Sequence, residues 1–342
     1  MTVNATIDLR SDTVTRPTPA MLEAMMKAEV GDDVFAEDPT VNLLQERLAD
    51  AFGHEAALFC PSGTMTNQIA LNVHTRPGDE VICDKLAHIY NYEGGGMARN
   101  SGLSVRLVEG NRGRFTAKAV DASVNPPDSH YARTRVVAVE DTCNKGGGAV
   151  WDVEALRSVG DAARSYQLAY HLDGARVFNA LAENGTDTRS YGRLFDSISV
   201  CLSKGLGTPA GSVLIGSRDF IAEAHRVRKA LGGGMRQVGI LAAAGLYALD
   251  HEVPRIREDH EKARRIGSSL QSLDWVTEVL PVETNIVIFG TAGEQQAKRY
   301  SDRLNAAGIR CMPFGPDHVR FVLHRDIDEA MVASAIRICE EL

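Results

Sequence analysis

Two spacings of apolar residues alternate along the first 250 positions. Short apolar runs of strand length fall at 56–60, 80–83, 104–108, 135–139, 168–172, 198–202 and 211–216. Between and around them lie stretches with apolar residues three and four apart, at 19–28, 40–52, 153–167, 220–231 and 238–249. Val41, Leu44, Leu48 and Phe52 show the helical spacing most cleanly. Strands that alternate with helical stretches predict an α/β fold with a mostly parallel sheet. After about position 250 a charged amphipathic stretch, 254–273, leads to shorter strands at 276–280, 285–289 and 319–323, with two helices among them. This shift predicts a smaller C-terminal α+β domain. The expected division is an N-terminal arm at 1–19, a large domain at 20–249 and a small domain at 250–342. Residues 7–19, with two arginines and two prolines, read as an ordered arm lying on the body or on a neighbouring copy.

The chemistry gathers where apolar runs stop. The run at 198–202 ends at Ser203 and Lys204, and glycines follow at 205, 207 and 211. The run at 168–172 ends at Asp173, 31 residues before the lysine, which leaves room for one strand–helix–strand passage. Both side chains are then expected at strand ends on one edge of a parallel sheet. Each has a plainer reading alone, a solvated lysine or a helix-capping aspartate. Together they suit pyridoxal phosphate: a lysine forms a Schiff base with its aldehyde, and an aspartate keeps its ring nitrogen protonated. Pro61, Ser62, Gly63 and Thr64 open a helix, whose free amides and dipole would hold a phosphate. Neither the G-K-[ST] nor the G-x-G-x-x-G pattern is present there. His88 follows the run at 80–83, placing an imidazole on the same edge, where it could stack on a flat cofactor or move a proton.

Composition narrows the partners. The net charge of −8 and the absence of a dense Lys/Arg run argue against nucleic acid and against an anionic membrane surface. No apolar stretch is long enough to span a bilayer, and the first residues lack the apolar core of a secretory signal. The six cysteines form no C-x-x-C pair and several lie in apolar runs, so buried thiols and a cytoplasmic location are expected. Cys143 stands in a polar segment near the predicted site. The ten histidines are dispersed, with no metal-type clustering.

Blocks at 9–17, 31–34, 61–64, 171–176, 203–209 and 232–237 resemble those of the L-threonine aldolases. The resemblance covers nearly the whole chain. It implies the PLP-dependent transferase-like fold (fold type I), in the β-eliminating lyase group, and cleavage of L-threonine, L-allo-threonine or other β-hydroxy-α-amino acids to glycine and an aldehyde. It implies that Lys204 carries pyridoxal 5'-phosphate, Asp173 pairs with its ring nitrogen, Ser62, Gly63 and Thr64 cradle its phosphate, and His88 stacks on its ring. Arg176 would contact the cofactor's phenolic oxygen or the substrate carboxylate. Arg320 and Ser11 would grip that carboxylate, and His130 would lie near the β-hydroxyl. Arg236 would approach the phosphate of a neighbouring subunit, which implies a homo-oligomer, a tetramer built as a dimer of dimers, with shared sites. The general base is left open among His88, His130 and a water. Relatives often carry histidine at the position of Cys143, so contacts to the ring there are expected to differ. β-Elimination or racemisation on the same scaffold remains the nearest alternative. A catalytically silent member of the fold, acting only as a binding partner, is the alternative from another class.

Overall fold

Seven strands lie side by side in the order Ala56–Cys60, Ser212–Gly216, Ser197–Cys201, Ala169–Gly174, Thr134–Glu140, Glu80–Asp84, Ser104–Val108 in the computed structural model, which describes residues 6–342. The last five run parallel, and Ser212–Gly216 is antiparallel to both of its neighbours. The apolar runs are nearly continuous because both faces are covered. Val137 and Val139 enter one core, while Val136 and Ala138 enter another on the opposite face.

Helices supply the covers. Helix Pro39–Phe52 turns Val41, Leu44, Leu48 and Phe52 inward, as their spacing predicts. Its start is set by Asp38, which accepts the Val41 amide, and by Pro39 in the first turn; its end is Gly53 at φ 71°. Burying each of these large side chains stabilises the fold by about 1.5–3 kcal/mol. Helix Gly63–His74 packs against the sheet's other face, in contact with helix Arg218–Ala230.

Helix Arg218–Ala230, expected at 220–231, buries one of its charged side chains. Arg228 is buried, donating to the Phe59 carbonyl at 2.7 Å and pairing with Asp33 at 2.8 Å. Its helical spacing from Phe220, Ile221 and Ala224 puts it on the inward face, and a buried guanidinium requires an anion. Asp33 lies in the loop that precedes Asp38, so this pair ties that loop to helix Arg218–Ala230.

The C-terminal part forms an antiparallel sheet in the order Met312–Pro313, His318–Val322, Ile286–Thr291, Val276–Val279, with its own core. Helix Ile256–Leu270 bridges the two cores: Ile256 enters the large one and Ala263, Ile266 and Leu270 the small one. The arm, expected at 1–19 on the body or on a neighbouring copy, is described from residue 6 onward, its first five positions lying outside the described residues, and it packs into the small core. Ile7–Asp8 pairs in parallel with Ile309–Arg310, Leu9 is fully buried, and the Leu9 carbonyl accepts the Val322 amide at 2.9 Å. Among the described residues no helix is long and apolar enough to cross a membrane.

Candidate active site

Strand register places the predicted chemistry on one edge. Asp173 lies beside Glu140 on one side and Ser199 on the other, and Cys201 is paired with Ser212, which is paired with Cys60. The chain therefore leaves its parallel strands toward His88, Asp173 and Lys204, and leaves Cys60 toward Ser62, all at the same carboxyl edge. This is where an open α/β sheet receives ligands. Past Lys204 the loop closes through the Gly207 amide, which donates to the Lys204 carbonyl at 2.8 Å with Gly207 at φ 73°. The space beside Gly205 is open: a Cβ there would meet no atom within 4 Å.

The floor of the site is a buried acidic cluster. Asp173 is 2% exposed; its Oδ2 accepts from Asn67 Nδ2 at 3.0 Å and its Oδ1 from the Ala175 amide at 3.2 Å. The same Asn67 nitrogen donates to Glu93 Oε1 at 2.8 Å, and His88 Nδ1 meets that oxygen at 3.1 Å. Atoms of His88, Glu93 and Asp173 lie within 4.8 Å of one another. Burial alone would lower the His88 pKa, but the Glu93 hydrogen bond and the charges of Asp173 and Glu140 outweigh it, so the net shift is upward. Glu140 is pushed up to about 7, first by burial and then by Asp173. Its two oxygens accept the amides of His88 and Asn144, both at 2.9 Å, and so join the two loops that border the floor.

The other end of the site is cationic. Arg320 donates to Asn144 Oδ1 at 2.8 Å and to the Arg10 carbonyl at 3.1 Å, and lies over the Phe314 ring. Burial and the neighbouring Arg176 lower its pKa to about 10. Arg176 forms a two-point ion pair with Asp12, through Nε at 2.7 Å and Nη2 at 2.6 Å. Asp12 also accepts from Asn285 Nδ2 at 3.3 Å. One face of Arg176 is thus already used, leaving Nη1 as the nitrogen free of Asp12. Ser11, next to Asp12, caps a short turn by accepting the Thr13 amide. Two adjacent guanidinium groups against one carboxylate favour a further anion.

Ser62 caps helix Gly63–His74 by accepting the Met65 amide at 3.3 Å. The amides of Gly63 and Thr64 lie in the first turn, with no carbonyl one turn back to accept them. Beside them the buried Ser212 hydroxyl has no hydrogen-bond partner among the described residues and sits 3.5 Å from where a Gly63 Cβ would be. These residues fit pyridoxal phosphate: amides and hydroxyls for a phosphate, a buried carboxylate with acceptor capacity left, and a lysine next to the open space at Gly205.

Three predicted residues are not brought to this group by their own chain. His130 is 86% exposed, bonded to Asp128, in the loop before Thr134–Glu140 and so at the opposite end of that strand from Glu140. Arg236 is half-exposed and pairs with Asp32 at 3.1 Å, in a loop that reaches Met65 through Gly233. Cys143 is buried, with its sulfur against Gly113, where a Cβ would come within 2.2 Å, and burial pushes its thiol up past the ordinary range. Conversely, the structure adds Asp12, Asn67, Glu93, Glu140 and Asn144, which the sequence reading did not single out. Asn67 carried one usable signal: it lies one helical turn beyond Gly63, on the same face.

Residues 8–293 match the profile of the beta-eliminating lyase family. The chain is 43% identical over 330 residues to the low specificity L-threonine aldolase of Escherichia coli (strain K12), covering 96% of each. It is 41% identical over 332 residues to low-specificity L-threonine aldolase 1 of Arabidopsis thaliana, covering 95% of this chain and 93% of that one. The solved threonine aldolase of Leishmania major superposes with a TM-score of 0.85 at 18% identity, covering 98% of this chain and 99% of that one, and so shares the fold. With matches of this length and identity, the chain belongs to the beta-eliminating lyase family and, within it, to the L-threonine aldolases.

Proposed function

We propose that the protein is a pyridoxal-phosphate-dependent, low-specificity L-threonine aldolase. It cleaves the Cα–Cβ bond of L-threonine or L-allo-threonine to give glycine and acetaldehyde, and treats other β-hydroxy-α-amino acids in the same way. The observation that carries this reading is the arrangement along one sheet edge: buried Asp173 on one strand, Lys204 just past the next, and the Arg176–Arg320 pair opposite.

Lys204 would carry the cofactor, Asp173 would accept its ring N–H, and Ser62, Gly63 and Thr64 would hold its phosphate, with His88 at the ring. When bound, pyridoxal phosphate supplies the electron-poor ring that takes up charge from Cα. Arg320, with Ser11, binds the substrate carboxylate; a carboxylate gripped at two points cannot rotate, which fixes the direction of the Cα–Cβ bond. His88 takes the proton of the β-hydroxyl. As the C–O bond gains its double-bond character, the Cα–Cβ bond breaks and its electron pair stays with Cα, which is then protonated to give glycine.

Two predictions arise here. Arg320→Ala should raise KM for L-threonine about 10- to 100-fold, the worth of one charge-assisted hydrogen bond, with little change in cofactor affinity. Steady-state kinetics beside a cofactor titration check this, and an unchanged KM would remove Arg320 from the carboxylate site. The second concerns pH. His88 acts as a base only when neutral, and its surroundings hold its pKa above 6.5. The acid limb of kcat/KM should therefore lie above pH 6.5, and Glu93→Gln should move it down. A limb that stays in place in Glu93→Gln assigns the proton transfer to another group.

The reading as a whole is tested by aldehyde release from L-threonine and L-allo-threonine in the presence of pyridoxal phosphate. Pyruvate from L-serine, or D-alanine from L-alanine, formed faster than any aldehyde would replace it with lyase or racemase chemistry.

The reading extends to assembly. Met26 and Phe35 are 85% and 70% exposed, and Leu22, Val30, Leu43 and Ile240 are also exposed, on elements packed against each other. Such an apolar face, beside the Arg236 loop, supports a homo-oligomer, a tetramer in which Arg236 and His130 serve a neighbouring copy's site. Six buried, unpaired cysteines support a cytoplasmic location.

A further inference from the structure

Asn67, which the mechanism above does not use, sits at the centre of a buried network. Its side-chain nitrogen faces two carboxylates, Asp173 at 3.0 Å and Glu93 at 2.8 Å. That fixes the amide's orientation, because the reversed amide would turn its oxygen toward both. The oxygen therefore faces His171 Nε2 at 3.1 Å and must accept from it. His171 is fully buried, and burial drops its pKa to about 3, so the ring is neutral. With the proton on Nε2, its Nδ1 accepts from the Ser197 hydroxyl at 2.9 Å. Ser197 Oγ in turn accepts from His74 Nε2 at 2.8 Å, and burial likewise lowers His74 to about 4. His74 is stacked on Phe220, with ring centroids 4.6 Å apart.

Every donor in this series points the same way, from His74 through Ser197, His171 and Asn67 to Asp173. Hydrogen bonds aligned head to tail in a low-dielectric interior reinforce one another. The sequence arranges it economically. Gly63, Asn67 and His74 lie on one face of a single helix, so the element that meets the phosphate also carries both ends of the series. His171 and Asp173 are two apart on one strand and point to the same face.

We infer that Asn67 is a positioning residue for the cofactor ring: it joins Asp173 to the Glu93–His88 pair and ends a one-directional line of buried hydrogen bonds that holds the Asp173 carboxylate against that ring. This rests on the proposed role of Asp173. Ser197, which touches neither the cofactor site nor Asp173, acts on the ring only through this line.

The test is the affinity of the full-length protein for pyridoxal phosphate, measured by equilibrium titration, with the absorption maximum of the bound cofactor as a second readout. Asn67→Ala should weaken binding about 10- to 100-fold and shift the absorption maximum. Ser197→Ala should weaken it several-fold. Tyr170→Phe removes a buried hydrogen bond to the Leu156 carbonyl from the same strand but off the line, and should change neither readout. In the Asn67→Ala background, Ser197→Ala should add nothing, since the line is already broken. Equal effects of Ser197→Ala and Tyr170→Phe, or simple additivity of Ser197→Ala with Asn67→Ala, would overturn the inference. If Asn67→Ala does not fold, the comparison of Ser197→Ala with Tyr170→Phe decides alone. Failure of the unmodified protein to bind pyridoxal phosphate would instead remove the cofactor role of Asp173, a distinct result.

Discussion

Lys204→Ala is expected to stop aldehyde release from L-threonine, lowering turnover by about 10,000-fold or more, as loss of a covalent anchor does. The fold should survive the change. Lys204 lies in a loop beside open space at Gly205, and its backbone carbonyl, which accepts the Gly207 amide, is retained. Pyridoxal phosphate should still bind through Asp173 and the Ser62–Thr64 turn, but without a covalent link. Borohydride reduction followed by peptide mass spectrometry reads this directly: the native chain should keep the cofactor on Lys204, and the variant should release it on denaturation. A reduced label on another lysine, or steady turnover by the variant, would remove Lys204 from its role.

Asp12→Ala is expected to cost about 3–5 kcal/mol of stability, the usual consequence of removing one partner of a buried ion pair. Arg176 would then be left buried without its anion and beside Arg320, so catalytic efficiency should fall together with stability. Denaturant unfolding and kinetics on the same preparation check both. The pair also has a pH signature. Burial raises the Asp12 pKa, but the Arg176 guanidinium more than reverses this, with a smaller pull from Lys204, and the result is about 2 against an ordinary 3.8. A depressed carboxyl contributes its stability above the unfolded value and loses it as pH falls through the folded one. About 2 kcal/mol should therefore vanish between about pH 4 and pH 2. Subtracting the stability curve of Asp12→Asn from that of the native chain isolates this window. Parallel curves would show that Arg176 finds its charge balance elsewhere.

These two residues differ in how far the sequence revealed them. Lys204 and Asp173 are visible because each ends an apolar run, and the distance between them equals one crossover. The alternation of runs and helical spacings likewise predicts the sheet and its covering helices. Asp12 stands among the arm's polar residues with nothing to show that it reaches Arg176, which lies in a different core. Asn67 and Glu93 are hidden for the same reason. Their partners become neighbours only when a helix lies across particular strands, and polar contacts across such distances leave no periodic trace. Arg228 shows the reverse case: a charged residue in a polar helix is ordinarily solvated, and only Asp33 makes its burial tolerable. His130 and Arg236 are predicted site residues that a single chain leaves on its surface.

The arm has a consequence for how the enzyme comes into being. Ile7 and Leu9 leave the ribosome before the large sheet, yet their partners, Ile309, Arg310 and Val322, leave after it. The large sheet can form during synthesis, since all its strands precede residue 217. Asp12 reaches Arg176 only once the small core has closed around the strand that precedes it. A nascent chain thus carries Lys204 and Asp173 well before it has an ordered place for a carboxylate, and activity begins with the closing of the small core rather than with the folding of the larger part.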